Sequence, residues 1–210
     1  MSNEESSDYI AGSLTANDWK ARKIKLLENG DEADWASAFD DFLMARLKHR
    51  YLTPIKMLQD DGSFQGEGFT IVSVQCALIE FLAALKIGKN YKLLKRGEKI
   101  GPYEYTRSNA LFRDFLAQEK PFSECFPSIS DSQEFYKNVR CALLHEARTK
   151  NGWRIWAAGD IAVDVHKKIV RRDALQVAIN AYLDSYGLLL TRNKSVQEAF
   201  VRKFDHLADL

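Results

Sequence analysis

Cysteine and histidine are scarce in this 210-residue chain, and an excess of charge of either sign is missing. Three cysteines, Cys76, Cys125 and Cys141, cannot all pair with one another, and none stands in a CxxC spacing, which excludes a disulfide framework. Cys76 and Cys141 fall within apolar helical patterns, so the expectation is reduced, buried thiols in a reducing compartment. His49, His145, His166 and His206 are scattered without metal-ligand spacing, and no metal site is expected. With 30 basic against 29 acidic side chains the whole-molecule field is weak, so any RNA or DNA site has to be a local patch. No run approaches the roughly 20 uninterrupted apolar residues of a membrane span. The acidic start MSNEESSDYI lacks the basic-then-apolar order of a secretory leader. These absences predict a cytoplasmic protein without a membrane partner. Phosphate-loop, dinucleotide-binding, HExxH and GxSxG patterns are missing too, so no cofactor is expected and the matching enzyme classes fall away.

What is present is helical periodicity. Hydrophobic residues make up 46% and charged residues 28%, an ordinary globular balance, and the length suffices for one core. The pattern predicts a mainly α fold: a flexible tail over residues 1–14, then a single helical domain over 15–210. Thr15 can cap a helix through Trp19, Ile24 and Leu27 that stops at Asn29-Gly30. From Asp31 to about His49, Trp35, Phe39, Phe42, Leu43 and Leu47 recur at helical spacing, and Asp40 with Asp41 belongs to the solvated face. A short helix around Ile55–Leu58 follows Pro54, and Gly62, Gly66 and Gly68 mark a loop. Thr70–Ile87 is the most apolar segment and predicts the central helix, with Glu80 inside it. Residues 88–105 read as a basic, aromatic loop, and Ser108–Gln118 as a helix closed by Pro121. Asp131–Arg148 is a further helix, capped by Ser130 or Asp131, with Phe135, Val139, Ala142 and Leu143 on one side. Trp153–Trp156 and Ala162–Val165 alternate around Gly159-Asp160, a small β-hairpin signal that Lys168-Ile169-Val170 extends. Helices over Arg172–Leu190 and Val196–Leu207 close the chain.

The segment FYKNVRCALLHEARTKNGWRI, residues 135–155, resembles the core motif of the HEPN superfamily, an arginine followed after four to six residues by a histidine on a bundle helix. Arg140 and His145 stand at that spacing, and SVQCALIEFLAALKIGKNY resembles the acid-bearing helix of a subgroup found in bacterial conflict and mobile-element systems. Where many family members carry asparagine, aspartate or histidine after the arginine, this chain has Cys141. The resemblance covers about residues 35–190 in outline and is specific over about 20 of them. It implies a HEPN-type helical bundle, a homodimer, and metal-independent cleavage of single-stranded RNA in a toxin or phage-defence role, with an antitoxin or regulatory protein as a further partner. Arg140 and His145 would be catalytic, supported by Glu80, Cys141 and Glu146. On an ideal helix a five-residue step is about 140°, so the two side chains do not share a face and a second copy would complete the cleft. Histidine ordinarily titrates near neutrality and suits proton transfer at a ribose 2′-OH, while arginine can hold a phosphate bidentately.

Blander readings stand beside these. His145 can serve the negative end of its helix, and Arg140 can sit in a salt bridge with Glu80 or Glu146. Lys92, Lys95 and Arg96, with nearby tyrosines, and Lys167, Lys168 and Arg171 could follow an RNA backbone, or they could be solvated surface. Trp153 and Trp156 read as cover for the core. The alternative function is a catalytically inactive HEPN-like domain binding RNA, nucleotide or a protein partner; a purely structural helical protein is the third.

Overall fold

The computed structural model describes residues 9–61 and 65–209. Two short strands, β1 (Tyr9–Ala11) and β2 (Leu14–Thr15), precede helix α1 (Ala16–Asn29), whose capping box joins Thr15 and Asp18. The tail expected over residues 1–14 does not reach that far: β1 pairs with β2, Ile10 and Ala11 are buried, and Arg46 donates to the Ile10 carbonyl at 2.6 Å. Residues 1–8 lie outside the described residues.

The second helical stretch is longer than its periodicity suggests. Helices α2 (Glu32–Ala38), α3 (Ala45–Leu47) and α4 (Thr53–Asp61) run on as one rod, joined by π-helical turns at Phe39–Met44 and Lys48–Leu52. Central helix α5 (Glu67–Ile87) begins three residues before the expected Thr70 and takes in Gly68, read as loop. A side-chain carbon at Gly68 would lie 3.0 Å from Ile155, so this glycine permits close packing rather than a turn. Gly62 lies outside the described residues.

Beyond α5, strands β3 (Asn90–Tyr91) and β4 (Glu104–Tyr105) pair in parallel and clamp the ends of the expected basic loop. Helix α6 (Asn109–Gln118) leads to α7 (Ile129–Phe135), capped by Ser128 rather than Ser130 or Asp131. A π turn at Tyr136–Cys141 joins α7 to α8 (Ala142–Glu146), which ends at Ala147 in the left-handed region. Strands β5 (Arg154–Trp156), β6 (Val163–Asp164) and β7 (Ile169–Arg171) form a sheet of order β5-β7-β6. The expected hairpin partners are thereby corrected: β6 pairs antiparallel with β7, whereas β5 runs parallel to β7 and does not touch β6. Gly159-Asp160 belongs to the crossover between them. Helices α9 (Arg172–Arg192) and α10 (Lys194–Leu207) complete the fold.

One core runs through the molecule, with α5 at its centre. Trp19, Phe42, Phe200 and Phe204 meet edge to face or tilted at one end. Phe112, Phe126, Phe135 and Trp153 form a second aromatic group under the α7–α8 segment. Among the described residues α5 alone is long and apolar enough to cross a membrane, and 56% of its most apolar window is buried inside this fold. Of the cysteines, all free, Cys76 is buried as expected, while Cys125 and Cys141 are only half-buried.

Candidate functional site

Arg140 lies in the last turn of the π-helical segment that joins α7 to α8. A π turn inside a helix leaves its bond pattern irregular and is frequent where a side chain has to be aimed. Here the guanidinium meets Glu80 of α5, Nη2 to Oε2 at 2.7 Å, with both side chains 18% exposed. The central helix thus delivers its carboxylate to the motif helix, the pairing expected for Glu80. Glu146, the other acid considered for Arg140, points elsewhere and binds Arg148 at 3.1 Å and Lys150. Hydrogen bonding from Lys150 leads the causes that hold the Glu146 carboxyl below its ordinary range.

Around the Arg140–Glu80 pair the surface is aromatic and thiol-bearing. Arg140 stands 5.4 Å from the Tyr136 ring centroid, and the Tyr136 hydroxyl meets Ser108 at 3.1 Å. Tyr105 lies beside Glu80; burial first, and then the Glu80 charge, push its hydroxyl up to about 12. Burial likewise pushes the Cys76 thiol up to about 12, close to Arg140 and Cys141. For Arg140 itself, burial works against the charge, but Glu80 outweighs it and raises the guanidinium above its ordinary value. Arg140 therefore stays a cation under every ordinary condition, fixed by one nitrogen. Among the described residues its Nε and Nη1 have no hydrogen-bond partner, so two donor nitrogens remain for an external anion.

His145 sits one helical turn further on and is exposed, next to Leu144 at 62% exposure. No hydrogen bond links it to Arg140 or to any other described residue. Within one copy of the chain, arginine and histidine are thus presented separately, the first anchored and the second free. The turn after α8 folds back on the motif helix: the Lys150 N–H donates to the Asn138 carbonyl at 2.9 Å, and Asn151 donates to the Asn138 side chain at 2.8 Å. Tyr105 also lines an open cavity of about 370 Å³ with Lys86, Lys89, Arg107, Asp114 and Glu119.

The basic residues read from the sequence separate into two groups. Lys92 is spent on Glu104 at 3.2 Å, while Lys95 and Arg96 are exposed on the loop between β3 and β4. Lys167 lies 3.8 Å from Asp164, Lys168 donates to the Asn151 carbonyl, and Arg171 donates to the Ile161 carbonyl at 3.0 Å. Trp153 is buried as expected, but Trp156 is 47% exposed and covers no core. Strand periodicity carried that signal, because residues an odd number apart face opposite sides. Among the described residues no three histidine, cysteine, aspartate or glutamate side chains cluster as metal ligands.

Comparison with models of protein families, with curated proteins and with solved structures gives no match.

Proposed function

We propose that the chain is a HEPN-type, metal-independent endoribonuclease acting on single-stranded RNA as a homodimer, in a toxin or phage-defence setting. The observation that supports this most is the geometry of Arg140: a permanent cation, half-buried and held by Glu80 at 2.7 Å, with two donor nitrogens left over among the described residues. Such a group can bind a phosphodiester and stabilise the charge that builds on its oxygens. His145, exposed and unpartnered, can take the proton of a ribose 2′-OH as that oxygen attacks phosphorus, and can return a proton to the leaving 5′-oxygen. The products carry a 2′,3′-cyclic phosphate and a free 5′-hydroxyl. Because the two side chains stand apart within one copy, the working pair is Arg140 of one protomer with a second protomer's copy of the motif helix.

The test is a fluorescent single-stranded RNA incubated in EDTA. Wild type cuts it, and Arg140→Ala and His145→Ala each lose about 100-fold or more in rate. A 2′-deoxy substitution at the scissile position abolishes cleavage. Equal cleavage by wild type and both variants ends this reading. So does a clean monomer by light scattering at micromolar concentration together with undiminished activity, because the composite site then has no second half.

The bond between Arg140 and Glu80 also favours a second reading, a catalytically inactive HEPN-like domain that binds RNA, nucleotide or a protein partner, since a carboxylate already occupies part of the guanidinium. Under it, RNA is bound but never cut, and His145→Ala changes neither result.

A further inference from the structure

The sheet that follows the motif helix carries an aromatic side chain that the fold does not use. Arg154 and Trp156 are two residues apart on β5 and so share its outer face, and Trp156 is the direct partner of Arg171 across the β5–β7 pair. Both guanidiniums stand 5.7 Å from the Trp156 ring centroid. That is the outer part of cation–π range, close enough to orient the arginines and loose enough to release them. Backbone carbonyls steady them: Arg171 Nη1 donates to Ile161 at 3.0 Å and Arg154 Nη2 to Lys167 at 3.5 Å. Among the described residues neither the exposed Arg154 nor the half-buried Arg171 is in an ion pair, although Arg22, Lys23, Arg140 and Arg172 all are.

Two details show that this arrangement is specified by the chain. Gly159 adopts φ +142°, and a side-chain carbon there would lie 2.3 Å from Arg171 Cδ, so the glycine makes the seat over which the arginine stem passes. The nearby acid is engaged first by another residue: Asp164 accepts from the Lys167 backbone at 2.9 Å, has its ammonium at 3.8 Å, and meets the Arg171 charge only through space. Asp160, beside Gly159, is the other carboxylate on this segment. His166 and Lys167 extend the rim on the β6–β7 turn.

We propose that Trp156, Arg154 and Arg171 form a platform for single-stranded nucleic acid. A base stacks on the indole, and the two guanidiniums turn from the ring to the flanking phosphates. Exposed aromatic area between cations that are in no ion pair among the described residues matches a chain of π-faced bases and anionic linkers, and neither an apolar partner nor a rigid duplex offers both at that spacing. Recognition of this kind tolerates any base and needs no 2′-OH, so the platform goes beyond the proposed cleavage and does not rest on it.

The experiment uses the tryptophan itself. Trp19, Trp35 and Trp153 are buried, which leaves Trp156 as the one indole open to solvent. A short oligodeoxythymidylate, which 2′-OH chemistry cannot cut, is titrated against the full chain at low salt. Binding quenches the exposed fluorescence and shields it from acrylamide. Trp156→Leu weakens binding about tenfold, the usual effect of losing one stacked base. Arg154→Gln and Arg171→Gln each reduce the slope of log affinity against log salt by about 0.7. Circular dichroism confirms that all three variants stay folded. The proposal is overturned if the oligonucleotide does not bind, if Trp156→Leu binds as well as wild type, or if an acidic peptide quenches Trp156 where the oligonucleotide does not. Quenching by the oligonucleotide without cleavage of any RNA upholds the platform and counts against the nuclease alone.

Discussion

Arg140 and the pair Arg154 with Arg171 are the same kind of group placed in opposite circumstances. Arg140 is half-buried against the central helix and matched to Glu80. Arg154 and Arg171 lie on a sheet face, in no ion pair among the described residues, and rest on carbonyls and one indole. An internally balanced cation can define a single point in space, whereas an unbalanced one supplies charge to whatever arrives. The difference teaches that a count of basic residues says little until each is sorted by what already neutralises it.

The sharpest way to break that contrast is to remove the balancing acid. Glu80→Ala strands a half-buried guanidinium and is expected to cost about 3 kcal/mol in urea unfolding at neutral pH. Arg154→Ala, at an exposed site, stays within about 0.5 kcal/mol of wild type. The double change Glu80→Gln with Arg140→Met recovers most of the first loss, because neither member is then left charged and alone. If Glu80→Ala costs no more than Arg154→Ala, the two classes of arginine are not distinct.

Lys203 sharpens the comparison, because it is buried more deeply than Arg140 and is in no ion pair among the described residues. Its ammonium donates to the Lys89 carbonyl at 3.1 Å and lies 5.4 Å from the Phe81 ring. Burial, with Arg46 adding to it, lowers its pKa from 10.5 to about 8. The unfolded chain therefore holds this proton more tightly than the folded one. The penalty is complete below pH 8 and fades as pH rises toward 10.5, so stability climbs over that window. Relative to Lys203→Met, the wild type should gain about 2 kcal/mol between pH 8 and 10, read from unfolding midpoints. Using the difference cancels the tyrosines, which act in the opposite sense at higher pH. A flat difference would mean that the ammonium is not desolvated.

The smallest effect belongs to Gly159. Gly159→Ala combines a strained backbone angle with a clash against Arg171 and should lower stability by about 1 kcal/mol in thermal melts. An unchanged melt would show that the arginine stem has another course open to it.

Much of this fold is legible along the chain. The apolar run of α5, the Thr15 cap and the 3.6-residue patterns of α1, α9 and α10 are local signals, and local signals survive folding. Strand partners are not local. Alternation shows that residues 153–156, 162–165 and 168–170 are extended, but the choice of β7 as the middle strand depends on the crossover and on Ile155 packing against Gly68. The π turns come from fitting long helices around neighbours, and no residue pattern announces them. At the candidate site the sequence offered Arg140 two acids, Glu80 and Glu146, and only the packing of the motif helix against α5 selects Glu80. The Trp156 face was readable only by parity, because Trp153 and Trp156 cannot both look inward from one strand.

Asn138 is buried, two residues before Arg140, and is bolted through Lys150 and Asn151 to the turn that opens β5. The motif helix and the sheet are therefore one rigid piece, not two bodies on a tether. Were both proposals above to hold, a strand of nucleic acid gripped at the indole would keep a constant register with the guanidinium of the same copy. The chain between them would then work as a ruler, its span and not the identity of a base setting which phosphate is presented.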